Sequence, residues 1–180
     1  MKILFFSDIH GISDNLSYIK QIDENEKFDK IVVLGDLYYP GPIFDNSKQI
    51  KSKEVKDFLM GYQERLICMK GNCDSDVDIK ASDFPICSTI SLICMDGLDI
   101  YLTHGNEYNI EKDRKFQKKG ILVYGHEHYP FIEKKNDMVF INVGSISQPR
   151  IGSEASYGVY SDKTFTIYGI SGNVLEKISF

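Results

Sequence analysis

The chain has 180 residues, 42% hydrophobic and 26% charged, a balance that suits a soluble globular protein large enough to bury a substantial core. Its formal charge of −5 argues against a protein that holds long nucleic acid through its net field, and leaves room for a small anionic substrate. No run reaches the length of a membrane span, the apolar Met1–Phe6 stretch is too short for a signal-peptide core, and Cys68, Cys73, Cys87 and Cys94 form no Cys-x-x-Cys pair, so a reduced, cytoplasmic protein is expected.

Lys2 to Phe6 reads as a buried strand feeding a loop at Ser7-Asp8. Ser13 or Asp14 is positioned to cap a helix carrying Leu16, Ile19 and Ile22. Ile31 to Leu34 is a second buried strand, stopped by Gly35-Asp36 and followed by a loop that Pro40-Gly41-Pro42 enforces. Val55, Phe58 and Leu59 predict another amphipathic helix, and Leu66 to Met69 a third strand ending at Gly71-Asn72. The second half is strand-rich. Thr89–Met95 and Leu98–Thr103 flank Asp96-Gly97, the signature of a type I′ hairpin. Ile121–Tyr124 runs into Gly125-His126, and Val139–Ile141 into Asn142. Tyr157–Tyr160, Phe165–Tyr168 and Val174–Ile178 follow as strands, the last two turned by Gly172-Asn173. Without repeats, low-complexity tracts or linkers, residues 1–180 are expected to form one α/β domain.

One regularity emerges from this order. Asp8, Asp36, Asn72, His104 and His126 each follow the C-terminal end of a predicted strand, the edge at which open α/β sheets bind ligands. The chain's four histidines, His10, His104, His126 and His128, all sit in loop signatures beside Gly, Asp or another His. A lone histidine is ordinarily a surface or core residue; four at strand ends with Asp8, Asp36 and Asn72 point to a metal site. Imidazole and carboxylate without thiolate suit Mn, Fe, Zn, Ni or Co. Seven ligands exceed the needs of one tetrahedral ion and fit two ions sharing a carboxylate, which together clamp a phosphoryl group and activate a water.

Five blocks carry a family resemblance: Ser7-Asp8-Ile9-His10-Gly11, Gly35-Asp36, Gly71-Asn72-Cys73-Asp74, Thr103-His104-Gly105 and Gly125-His126-Glu127-His128. In this order they resemble the calcineurin-like metallophosphoesterase superfamily. Gly71–Ser75 and the run Asn142–Arg150 are similar in particular to YfcE-type bacterial phosphodiesterases, and the resemblance spans nearly the whole chain. It implies a four-layer α/β sandwich, two β-sheets packed together and flanked by helices. It implies that Asp8, His10 and His128 hold one divalent ion, that Asn72, His104 and His126 hold a second, and that Asp36 bridges them, with Mn²⁺ the foremost candidate. It implies hydrolysis of a small phosphodiester by a hydroxide generated between the ions, with Asp36, Asn72 and Cys73 as the catalytic positions.

Several roles stay open at this level. Many relatives carry histidine where this chain has Cys73; a thiol is a weak donor, so Cys73 is either a poor substitute acid or a small spacer. Asp74 either orients His10 or a neighbour, or caps a turn. Arg150 either reaches a substrate phosphate or is a plain surface arginine. Tyr38 and Tyr39 either wall the pocket or pack their own loop. Lys112-Asp113-Arg114-Lys115 with Lys118-Lys119 reads as a solvated face. The competing functions are a non-catalytic scaffold, as in the retromer's phosphoesterase-like subunit, and a nuclease. The intact Asp-x-His pair and final histidines favour the enzyme over the scaffold, and the acidic chain without a capping domain disfavours the nuclease and nucleic acid as partner. A small phosphorylated substrate and no membrane are expected; self-association is left open.

Overall fold

The computed structural model describes residues 1–39, 49–87, 89–113, 116 and 118–180; Pro40-Gly41-Pro42 and Arg114-Lys115 lie outside them. The first half builds strand–helix units: β1 (Ile3–Phe6), α1 (Leu16–Glu26), β2 (Lys30–Val33), α2 (Ser52–Met60), β3 (Leu66–Met69), α3 (Asp76–Ala81) and β4 (Ile86–Cys87). The second is all strand: β5 (Ser91–Met95), β6 (Leu98–Leu102), β7 (Gly120–Tyr124), β8 (Pro130–Lys135), β9 (Met138–Val143), β10 (Ser156–Ser161), β11 (Thr164–Gly169) and β12 (Val174–Ser179). Two mixed sheets result, ordered β12-β11-β10-β1-β2-β3-β4 and β5-β6-β7-β9-β8. In the first, β1 to β4 run parallel and β10 joins β1 antiparallel; in the second, β6, β7 and β9 run parallel.

Alternation along β1 explains the layering. Ile3 and Phe5 face the space between the sheets with Val32, Leu34, Ile100, Leu102, Ile121, Val123 and Ile141. Leu4 and Phe6 face the other way, against Leu16 and Ile19 of α1 and Val55 and Leu59 of α2. A strand buried on both faces reads as a continuous apolar run. The outer face of the second sheet, Leu122, Tyr124 and Phe140, is covered by Phe116 with Tyr108 and Ile110.

Local expectations meet one correction. The cap of α1 is neither Ser13 nor Asp14 but Asn15, whose side chain makes no cap bond. Its amide instead donates to the Ile146 carbonyl at 2.7 Å, tying the helix to the loop after β9, while Ser13 donates to Glu54. Three elements were not anticipated: α3, whose Ser75–Asp78 capping box starts it without burying a residue, the two-residue β4, and β8. The Asp96-Gly97 turn forms as expected, with φ of 55° and 78°.

Candidate metal centre

Loops after β1, β2 and β3 of the first sheet and after β6 and β7 of the second converge on one rim. Asp8 and His10 follow β1, Asp36 follows β2, Asn72 follows β3, His104 follows β6, and His126 and His128 follow β7. Five of these seven adopt left-handed backbone: Asp8, His10, Asp36, His126 and His128, with φ between 52° and 64°. Such a conformation costs about 1–3 kcal/mol per non-glycine residue and persists where surrounding contacts dictate it. Here the dictation is visible. The Asp8 N–H donates to the Gly35 carbonyl at 3.1 Å, the His10 N–H to Asp36 at 2.9 Å, and the His126 N–H to Asp8 Oδ2 at 2.9 Å.

Three imidazoles are oriented by one device. Nδ1 of His10 lies 2.6 Å from the Tyr39 carbonyl, Nδ1 of His104 2.8 Å from Leu34, and Nδ1 of His128 2.6 Å from Gln148. A carbonyl only accepts, so each Nδ1 carries the hydrogen and each Nε2 is directed inward. The inward atoms crowd together: Nε2 of His10 and His128 are 3.2 Å apart, and Asp8 Oδ1 is 3.2 Å from the latter. Asp8 Oδ1 is fully buried without a hydrogen-bond donor among the described residues. Two lone pairs and an orphaned carboxylate oxygen at this separation require a proton or a cation among them.

Asp36 divides its oxygens. Oδ1 accepts from the Cys73 N–H at 2.8 Å, which leaves Oδ2 between Nε2 of His10, 3.7 Å away, and Nε2 of His104, 3.3 Å away. Potential ligand atoms thus fall into close sets: Asp8, His10 and His128, and Asp8, Asp36 and His104. Asn72 Oδ1 joins the second, 2.9 Å from His104 Nε2. His126 is in neither; its half-buried ring packs edge-on against His104 with centroids 5.0 Å apart. A third close set, His10, Asp36 and Cys73, brings the thiol to the rim.

The charges are mutually supporting. Burial alone would raise the Asp8 carboxyl, but the neighbouring imidazoles of His10, His128 and His104 hold it well below the usual range. Burial would lower His104, yet Asp36 and Asp8 push it up to about 9. Burial and the charge of His104 lower His126. Burial and Asp36 drive the Cys73 thiol up to about 12, so it stays neutral.

The residues whose roles the sequence left open are placed as follows. Asp74, 3% exposed, does not touch His10; it accepts backbone N–H groups of Asp36 at 2.9 Å, Leu37 at 2.7 Å and Gly71 at 2.8 Å. It orients a neighbour through its main chain. Arg150 is exposed, and its N–H donates to the His128 carbonyl at 3.1 Å. Tyr38 is buried and Tyr39 is 57% exposed. Sequence reasoning gave no role to Asn142 or Ser145, which brace the rim: Asn142 donates to the Gly125 carbonyl at 2.6 Å, and Ser145 to the Asp8 carbonyl at 2.8 Å. The Asn142–Arg150 block was the signal that contained them.

A two-sheet α/β sandwich whose strand-end loops gather imidazoles and carboxylates around a shared oxygen is the architecture of the metallophosphoesterases. The chain belongs to the calcineurin-like phosphoesterase superfamily, whose domain model matches residues 1–164. It is 29% identical over 171 residues to phosphodiesterase YfcE of Escherichia coli strain K12, covering 95% of this chain and 93% of that one. The probable metallophosphoesterase YsnB of Bacillus subtilis strain 168 is 24% identical over 189 residues, covering 99% and 96%. The solved structure of YfcE, a phosphoesterase from E. coli, superposes with a TM-score of 0.92 at 28% identity over 99% of both chains. Zinc-bound Vps29 of Entamoeba histolytica, at 18% identity and a TM-score of 0.68 over 99% of both chains, shares the fold.

Proposed function

We propose that the protein is a metal-dependent phosphodiesterase that hydrolyses small phosphodiesters at a centre of two divalent ions. The observation that carries this reading is the inward cluster of three Nε2 atoms around Asp8 Oδ1 and Asp36 Oδ2, which fits cations and nothing apolar. Asp8, His10 and His128 would hold one ion, His104, Asn72 and His126 the other, and Asp36 would contribute to both. Nitrogen and oxygen donors without a thiolate suit Mn, Fe, Zn, Ni or Co, and Mn²⁺ is taken as the foremost candidate. Bound ions would supply Lewis acidity toward the phosphoryl oxygens and a water of lowered pKa.

The remaining work falls to the chain. The Tyr39, Leu34 and Gln148 carbonyls fix three ring orientations, and the close approach of the loops excludes bulk water from Asp8. Arg150 starts from the rim beside His128 and is read as a contact to a phosphate oxygen. Cys73, neutral and half-buried, is a spacer that accepts from the Asn72 amide at 3.3 Å and gives no proton to a leaving group. Esters with good leaving groups are therefore the better substrates. A cytoplasmic location belongs to the same reading, supported by four free cysteines; among the described residues no helix is long and apolar enough to cross a membrane.

The test pairs elemental analysis with turnover of bis(4-nitrophenyl) phosphate after reconstitution with Mn²⁺. About two equivalents of metal are expected in the wild type. Asp36→Ala should retain the fold and lose activity by more than about a hundredfold, since it strips a ligand from both ions. Most of the activity surviving in that variant would overturn the shared-ligand assignment.

A further inference from the structure

A cleft of about 760 Å³ opens beside the centre and takes no part in holding metal. It shares a wall with the centre at Cys73, whose sulfur lies within 4.8 Å of ligand atoms of His10 and Asp36. Tyr39 forms a second shared wall, because its carbonyl fixes the His10 ring while its side chain faces the cleft. Volume and position suit a group carried by a molecule whose phosphorus sits at the metals.

The lining indicates what kind of group. Its charged side chains are already engaged: Lys56 with Asp83 at 2.6 Å, Lys53 with Asp57 at 2.5 Å, and Asp78 with Ser75 in the capping box of α3. The Tyr38 hydroxyl is held by Ser82 at 2.8 Å. A second phosphate on the substrate would have to compete with Asp83 and Asp57 for these cations. What stands uncommitted is apolar surface, Tyr39 at 57% exposure and Ile50 at 40%, both lining the same cleft. A planar ring stacking on Tyr39 and covered by Ile50 would bury both.

We infer that this cleft is the subsite for an uncharged aromatic ester group, an aryl or nucleobase-bearing substituent, of the phosphodiester substrate. The inference rests on the proposed phosphodiesterase reading and adds the substrate class. It makes Tyr39 and Ile50 the specificity-determining residues. Both side chains are exposed, so truncating them leaves the core intact.

The experiment compares phenyl 4-nitrophenyl phosphate with methyl 4-nitrophenyl phosphate, which release the same leaving group and differ in the retained one. The wild type should favour the phenyl ester in kcat/KM by about tenfold, and Tyr39→Ala combined with Ile50→Ala should collapse that ratio toward one. In parallel, calorimetry on the Mn²⁺-loaded proteins measures diphenylphosphinate against dimethylphosphinate, neither of which can be hydrolysed. An unchanged phenyl-to-methyl preference in the double variant, in either measurement, overturns the subsite. If the wild type turns over neither ester yet binds diphenylphosphinate preferentially through Tyr39 and Ile50, the subsite stands and the catalytic reading is what fails.

Discussion

Asp74 acts on the centre without touching a metal-facing atom. Its Oδ2 accepts from both Asp36 and Gly71, and its Oδ1 from Leu37, so one carboxylate locks the loop after β2 to the loop after β3. An amide in its place offers one accepting oxygen and turns donors toward an N–H. Asp74→Asn should therefore lower metal affinity and activity by about 10- to 100-fold and cost about 1–3 kcal/mol of stability. Metal titration alongside thermal unfolding checks this; wild-type affinity in that variant would demote Asp74 to a loop residue. His104 makes a prediction about pH. Its pKa stands at about 9 against an ordinary 6.5, and His10 is raised as well, the neighbouring Asp8 carboxylate overcoming burial. A ring nitrogen must shed its proton before it coordinates. Metal uptake at pH 6.5 should release protons, the release should shrink toward pH 9, and apparent affinity should climb across that window. For the metal-free protein the sign is reversed: a folded pKa above the unfolded one gives stability that is complete below 6.5 and is lost as pH rises through about 9. Calorimetry with Mn²⁺ in buffers of different ionisation enthalpy measures the release; none at pH 6.5 would mean that His104 is already neutral.

At the scale of elements, the strand ends carry the argument. A methyl at position 125 would overlap Ser7 Oγ and Asp8 Oδ2, and one at 71 would overlap Asp36 Oδ1. The loops approach so closely that only glycine fits between them, and Gly125 does so without a left-handed φ. Gly125→Ala should cost about 1–3 kcal/mol and weaken metal binding, because relief comes only by moving Asp8. Equal metal affinity in that variant would show that the loop yields elsewhere. The positions of these loops were legible in the sequence: five apolar runs ended in polar ligand types, and the structure brings those ends together. The two-residue β4, the exposed α3 and the β8 strand were not legible. Their reasons are physical, since β4 is too short for a period, α3 buries nothing, and Phe131–Lys135 mixes charge into an edge strand. The helix cap misled for a related reason. Asn15 spends its amide on a carbonyl 131 residues away, a tertiary contact that no local pattern encodes. His126 was assigned to the second ion by the family resemblance, and its ring packs edge-on against that of His104.

The centre belongs to neither sheet alone. Asp8, His10, Asp36 and Asn72 come from loops of the seven-stranded sheet, and His104, His126 and His128 from loops of the five-stranded one. Two of the three close sets take members from both: Asp8 and His10 meet His128, and Asp8 and Asp36 meet His104. The sheets otherwise adhere through apolar contact, with Phe5 and Phe165 at 5.1 Å within a layer that Val123 and Ile141 face. Ions bound across that seam would act as a clasp at one end of the sandwich and would stabilise the whole molecule, because the unfolded chain cannot assemble the same donors. At a free concentration one hundred times Kd, binding contributes about 2.7 kcal/mol. For a chain of this size that is a rise in Tm of about 5–10 °C. Removing a donor from either side should abolish most of the rise, so Asp36→Ala in the first sheet and His128→Ala in the second should behave alike at the metal concentration that saturates the wild type. Thermal unfolding with and without Mn²⁺ reads the effect, with the unliganded Tm of each variant as its own baseline. If one of the two variants keeps the full shift, the metal is held from one sheet and the clasp across the seam does not exist.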